Sequence, residues 1–207
     1  MNIRFRRSIL GALLALLLVL IGLFHTAALA QDAPSQIGPM TPPASACMVE
    51  PRTAEELVAL YAIPTDPIPA STTATIALGK PADAAASQKV TELIFQAIAC
   101  LNAGDFGRFF ALLTDHAIVT IFPWVADELA TEESATQVMA PDPVPAQYMQ
   151  TILGIGSISL LPDGSYSAAL VVLDPNAGEQ PTALILNVVE DDEVWRIDSA
   201  IDFDEPE

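Results

Sequence analysis

The order of elements along this 207-residue chain predicts an α+β fold with an antiparallel sheet. Three observations carry the prediction. Val90, Leu93, Ile94, Ala97 and Leu101 recur at helical spacing in the middle of the chain. From Thr151 onward the chain reads as strand after strand. The strands are joined by short turns, Pro162-Asp163-Gly164 being the strongest, and short turns enforce antiparallel pairing. Helices first and strands last exclude alternating βαβ units.

The N-terminus has the order of an export signal. Arg4, Arg6 and Arg7 form a basic start, Ile9 to Phe24 an apolar run, and Ala28-Leu29-Ala30 a small-residue cleavage site. Residues 1–30 are therefore expected to be a signal peptide, with an uncleaved N-terminal anchor as the alternative. Residues 31–46, rich in Pro, Ser and Ala, are expected to be a disordered linker. Residues 47–86 form an N-terminal extension with one short helix. There Thr53 stands at the cap and Glu56 at the capping-box position, and Pro64, Pro67 and Pro69 limit its length.

The main domain is expected over 87–207. Its long helix runs from Ser87 to Ala103 and stops at Gly104. Asp105 caps a second helix bearing Phe106, Phe109, Phe110 and Leu113 on one face. His116 to Phe122 reads as a strand by alternation, and residues 124–138 as mixed helix and loop. Four strands follow, over Thr151–Leu161, Ser165–Leu173, Thr182–Val189 and Val194–Phe203. Gly154 and Gly156 within a strand pattern predict a bulge or bend. In the last strand Trp195, Ile197, Ser199, Ile201 and Phe203 are expected to face the core. Arg196, Asp198 and Asp202 are expected on the other face.

Asn102-Ala103-Gly104-Asp105 between two helices, Thr114-Asp115 after them, and Trp195-Arg196-Ile197-Asp198 in the closing strand form a pattern. It resembles the nuclear transport factor 2-like superfamily, which includes SnoaL-like and ketosteroid isomerase-like proteins, over Ser87 to Phe203. The resemblance implies a cone-shaped, curved antiparallel sheet wrapped around the long helix. The segment before Ser87 is similar to an extension of exported bacterial members.

Composition bounds the partners. The chain carries 26 acidic against 8 basic residues, a net charge of −18. Loss of the three signal arginines takes the mature chain to −21. Such a surface repels phosphate backbones and anionic headgroups, so nucleic acid is excluded, and a membrane enters only through an uncleaved N-terminal segment. Cys47 and Cys100 are the two cysteines. Cys100 lies on a helix line with Glu92 and Gln96, outside the apolar stripe. In an oxidising compartment a Cys47–Cys100 disulfide is expected, two unpaired thiols being the alternative. The expected location is extracytoplasmic and secreted.

No nucleophile elbow, phosphate loop or dinucleotide fingerprint is present, and two cysteines with one mature histidine, His116, make no zinc site. No catalytic residue, metal or cofactor is therefore assigned. The residues best suited to line a pocket are Asn187, Tyr166, Tyr148 and Trp124, with Asn187 interrupting a valine-rich strand. These features favour an exported non-catalytic domain binding a small apolar ligand or a protein partner. A small-molecule isomerase, cyclase or hydratase of the SnoaL-like type remains open, as does a dimerisation module whose sheet packs on a second copy to form a homodimer. N-terminal sequencing of the exported protein should begin at Gln31; an intact Met1 would establish the anchor instead.

Overall fold

Helix starts follow the capping chemistry of the sequence. The computed structural model describes residues 38–62, 79–123, 125–128, 131–178, 180–191 and 193–202. The expected signal peptide, residues 31–37 of the linker, Trp124 and Phe203 lie outside them. Helix α1 spans Ala54–Ala62. Thr53 Oγ1 accepts from the Glu56 amide, and the Glu56 carboxylate accepts from the Thr53 amide, completing the capping box. Helix α2, Ala84–Asn102, starts at Asp83, whose carboxylate accepts from the Ala86 amide. Helix α3, Phe106–Ala111, is capped by Asp105 as expected.

The next element departs from expectation. Residues 116–122 are not a strand: helix α4 covers Asp115–Ile121, with Thr114 as its N-cap. Ala117, Ile118, Ile121 and Phe122 recur at helical spacing, and a Thr-Asp start satisfies the first free amides. Capping and tertiary packing thus override the β-branched run. Helices α5, Val125–Glu128, and α6, Glu132–Val138, follow.

The sheet is five-stranded, antiparallel and curled, in the order β1-β2-β3-β4-β5. Its strands are β1 Lys80–Pro81, β2 Thr151–Leu160, β3 Tyr166–Leu173, β4 Thr182–Asp191 and β5 Val194–Asp202. In the β2–β3 hairpin the Asp163 carboxylate accepts from both the amide and the hydroxyl of Ser165, and Gly164 takes φ 90°. The register of β2 against β3 shifts twice, between Ile152 and Gly154 and between Ile155 and Ile158. The buried side of β2 is therefore Ile152, Ile155 and Ile158, three residues apart instead of two.

Helix α2 packs on one face of this sheet. Val90, Ile94 and Ala97 share a core with Ile155, Ala168, Leu170, Leu186, Val188 and Ile197. A further bulge, where Asn187 and Val188 pair with Ser199 and Ile197, corrects the expected faces of β5. Trp195 and Ile197 point to the core, but Asp198 is the extra residue. Ala200 then turns inward, and Ser199 and Ile201 turn outward.

Cys47 and Cys100 are bonded, with Cα atoms 4.7 Å apart. Cys100 is fully buried although its line-mates Glu92 and Gln96 are exposed and half-buried. The 3-10 turn at Ala44–Ala46 and the segment behind it cover that side of α2. Leu57 of α1 is likewise fully buried in the common core.

Gly104 has φ 61°, and a Cβ added there would lie 1.8 Å from the Asp142 carbonyl oxygen. Both the left-handed backbone and the close approach demand glycine. Gly104→Ala should cost at least about 3 kcal/mol in a urea melt, a loss under about 1 kcal/mol being inconsistent with this packing.

Candidate functional site

The N-terminal segment is bound to the helices by side chains that reach free helix ends. Short helices leave their last carbonyls unpaired. Arg52 donates to the carbonyls of Phe110 and Leu113, at and just beyond the end of α3, and to the Asp115 carboxylate at 2.7 Å. Asp115 is largely exposed, so the ion pair itself contributes little and the carbonyl bonds contribute more. The Tyr61 hydroxyl donates to the carbonyls of Ile118 and Phe122 at the end of α4, and its burial pushes the phenol up from its ordinary value. Arg108 donates to the Cys47 carbonyl.

Around these contacts lies an open groove of about 660 Å³, lined by Arg52, Glu56, Thr114, Asp115, His116 and Arg196 among others. The groove mixes charges of both signs. His116 stands at the exposed start of α4, and among the described residues its imidazole shares the groove with carboxylates but with no Ser, Cys or Lys that would make a nucleophile pair. A second open groove, about 450 Å³, is lined by Met48, Val49, Leu93, Leu112 and Trp195 with Lys89 and Glu92 on its rim. Among the described residues no three His, Cys, Asp or Glu side chains are grouped to hold a metal, and no helix is long and apolar enough to cross a membrane.

The pocket candidates do not converge. Tyr166 lies on the core-facing side of β3, its ring 4.9 Å from that of Trp195. Asn187 is on the opposite face of the neighbouring strand, where its amide donates to Ser199 Oγ at 2.8 Å. Tyr148 sits 46% exposed in a 3-10 turn, Ala146–Tyr148. Trp124 is outside the described residues.

What the sequence reading did not single out is the outer face of the sheet. Ala169, Val171, Leu173, Ala183, Ile185, Val189 and Ile201 are half-buried by their sheet neighbours but do not belong to the core. Register places Ile185 opposite Ala169 on one side and Ile201 on the other, so they form one row. The next row is polar. Ser159, Ser167, Asn187 and Ser199 are successive partners across four strands. The signal was present in the sequence. Tyr166–Leu173 and Thr182–Val189 are apolar at both alternating sets of positions, the pattern of strands covered on both faces.

No family model, curated protein or solved structure matches this chain.

Glu56 connects the groove to a pH dependence. Its bonds from the amide and hydroxyl of Thr53 hold its carboxyl below the ordinary 4.5. A depressed folded pKa gives stability that is present above 4.5 and lost as pH falls through the folded value. Thr53→Ala should therefore cost about 1 kcal/mol at neutral pH. The gap to wild type should narrow below the folded pKa of Glu56. Urea melts across pH 2–7 check this, and a gap independent of pH would remove Glu56 from the cap.

Proposed function

We propose that this protein is an exported, non-catalytic interaction module that binds a protein partner through the open face of its sheet, and that the partner is a second copy of the chain. The observation that carries the reading is the outer face itself. Seven apolar side chains lie there, on strands whose sequence is that of strands covered on both sides.

Charge favours a second copy. A chain at −18 repels its like, yet none of those seven positions, nor the polar row beside them, carries an acidic side chain. Four strands about 4.8 Å apart and some eight residues long present roughly 500 Å² per copy, so a pair buries about 1,000 Å², the lower end of a specific interface. The sheet edges are less available. Met40 pairs with Ile152 at one end of β2 and β1 pairs at the other, while Leu113 bridges to Ile197 on β5.

A small apolar ligand is less well supported, because the space between α2 and the sheet is occupied by Val90, Ile94, Leu170, Leu186 and Ile197. Membership of the nuclear transport factor 2-like superfamily, with the sheet curling round α2 as a cone, belongs to the same proposal. It is supported by helices that precede a curled antiparallel sheet and by the Asn-Ala-Gly-Asp turn between α2 and α3. Export is supported by the signal-like first 30 residues and by the disulfide, which is consistent with an oxidising compartment.

Sedimentation equilibrium of the mature chain should give a dimer. Ile185→Asp, a charge at the centre of the face, should raise the dimer dissociation constant at least about a hundredfold with an unchanged circular dichroism spectrum. A wild-type chain that stays monomeric at its highest soluble concentration would sink the reading.

A further inference from the structure

We infer that the polar row Ser159–Ser167–Asn187–Ser199 fixes the register in which two copies meet on the outer sheet face. The inference rests on the reading of that face as the contact between copies, and adds what selects one arrangement from many.

Seven apolar side chains on a gently curled surface are by themselves undiscriminating. They would be covered almost equally well in any of several sliding positions, because apolar contact is non-directional. The row changes this. Its four members are half-buried and run across all four long strands as direct partners. Only one hydrogen bond within it is formed, from Asn187 Nδ2 to Ser199 Oγ. The hydroxyls of Ser159 and Ser167 and the Oδ1 of Asn187 have no protein partner among the described residues, and water serves them while the face is open.

Covering the face removes that water. A partner that presents only apolar groups over the row leaves three polar groups stripped and unpaired, which is costly. A second copy carries the same row, so row on row supplies donors and acceptors to both. One step of slip toward the Ala169–Ile185–Ile201 row, about 7 Å, brings each polar row onto an apolar one instead. A step the other way brings it onto Val189 and its β5 partner Arg196, which covers a charged side chain in each copy. Mis-registered pairs are thereby penalised twice, once per copy, as a lone polar position penalises wrong registers in a coiled coil.

The test removes the row while keeping the face apolar. The triple variant Ser167→Val, Asn187→Leu, Ser199→Val of the mature chain is compared with wild type by sedimentation velocity and amide hydrogen exchange. The wild type should give one dimer boundary and sharp exchange protection on β3, β4 and β5. The triple variant should still associate, but lose the single boundary to a spread of dimers and larger species, with protection smeared along the strands. Asn187→Ser, which keeps the row polar, should retain the single dimer. If the triple variant fails to fold by circular dichroism, Asn187→Leu alone is read the same way. A variant lacking the row that sediments as one dimer with wild-type protection overturns the register role and leaves the face reading intact. A wild type that stays monomeric overturns both, and a wild-type dimer undisturbed by Ile185→Asp places the contact elsewhere and overturns both as well.

Discussion

The turn Asn102-Ala103-Gly104-Asp105 is the point on which four segments of this chain depend. Asn102 is the one buried polar side chain of the described core, at 1% exposure, and a buried amide is stable only if its hydrogen bonds are made. They are made with main chain. Its Nδ2 donates to the carbonyls of Pro42 and Gln150, and its Oδ1 accepts from the Gln150 amide at 2.7 Å. The side chain thus acts as one peptide unit of a ladder, pinning the N-terminal segment and the start of β2 to the end of α2. The main chain of the same turn holds the connection into the sheet, through Val144 to the Asn102 carbonyl and Asp142 to the Gly104 carbonyl. Asp105 then begins α3. Shortening Asn102 would leave three main-chain groups stripped at once, a larger loss than that of one hydrogen bond.

That turn explains why the residues before α2 are structural. Helices of six and seven residues cannot stand alone, since nucleation is unfavourable and most of their end groups are unpaired. Arg52 and Tyr61 supply the missing partners at the ends of α3 and α4. The Cys47–Cys100 bond holds the strap that carries them. It closes a separation of 53 residues, worth about 4 kcal/mol in the chain-entropy account. The strap in turn buries the side of α2 that would otherwise expose Cys100 and Ala99. Disulfide, caps and burial are therefore coupled, and removing one weakens the others.

Much of this was legible in the sequence where a local rule applied. The capping box at Thr53 and Glu56, the stop at Gly104, the cap at Asp105 and the turn at Asp163-Gly164 each depend on neighbours within a few residues, and each stands where the residue types put it. The misreadings arose where distant contacts decide. Residues 116–122 satisfy either period, and packing against the Tyr61 helix selects the helical one. Alternation failed in β5 because one bulge at Asp198 reverses every residue after it. Cys100 does lie on the line of Glu92 and Gln96, and its burial comes from the bonded segment 53 residues away. The candidate site was the least legible. Alternation alone left the face of Asn187 undetermined, and its row partners on three other strands are brought together only by register.

The distribution of charge closes the argument. An acidic domain has no need of strands that are apolar on both sides, and the cost of such strands is aggregation. This chain has blunted its sheet edges with Met40, Pro81 and Leu113 and carries 26 acidic residues, yet none stands in the apolar Ala169–Ile185–Ile201 row or the polar row beside it. Acidity elsewhere then bears on the proposed pairing. In that pairing, approaches other than face to face would bring more carboxylates together, so repulsion over the rest of the surface would favour the outer sheet face, where register sets Arg196 beside Val189. Specificity in such a system comes from what each wrong arrangement costs, by charge outside the face and by unpaired hydroxyls within it.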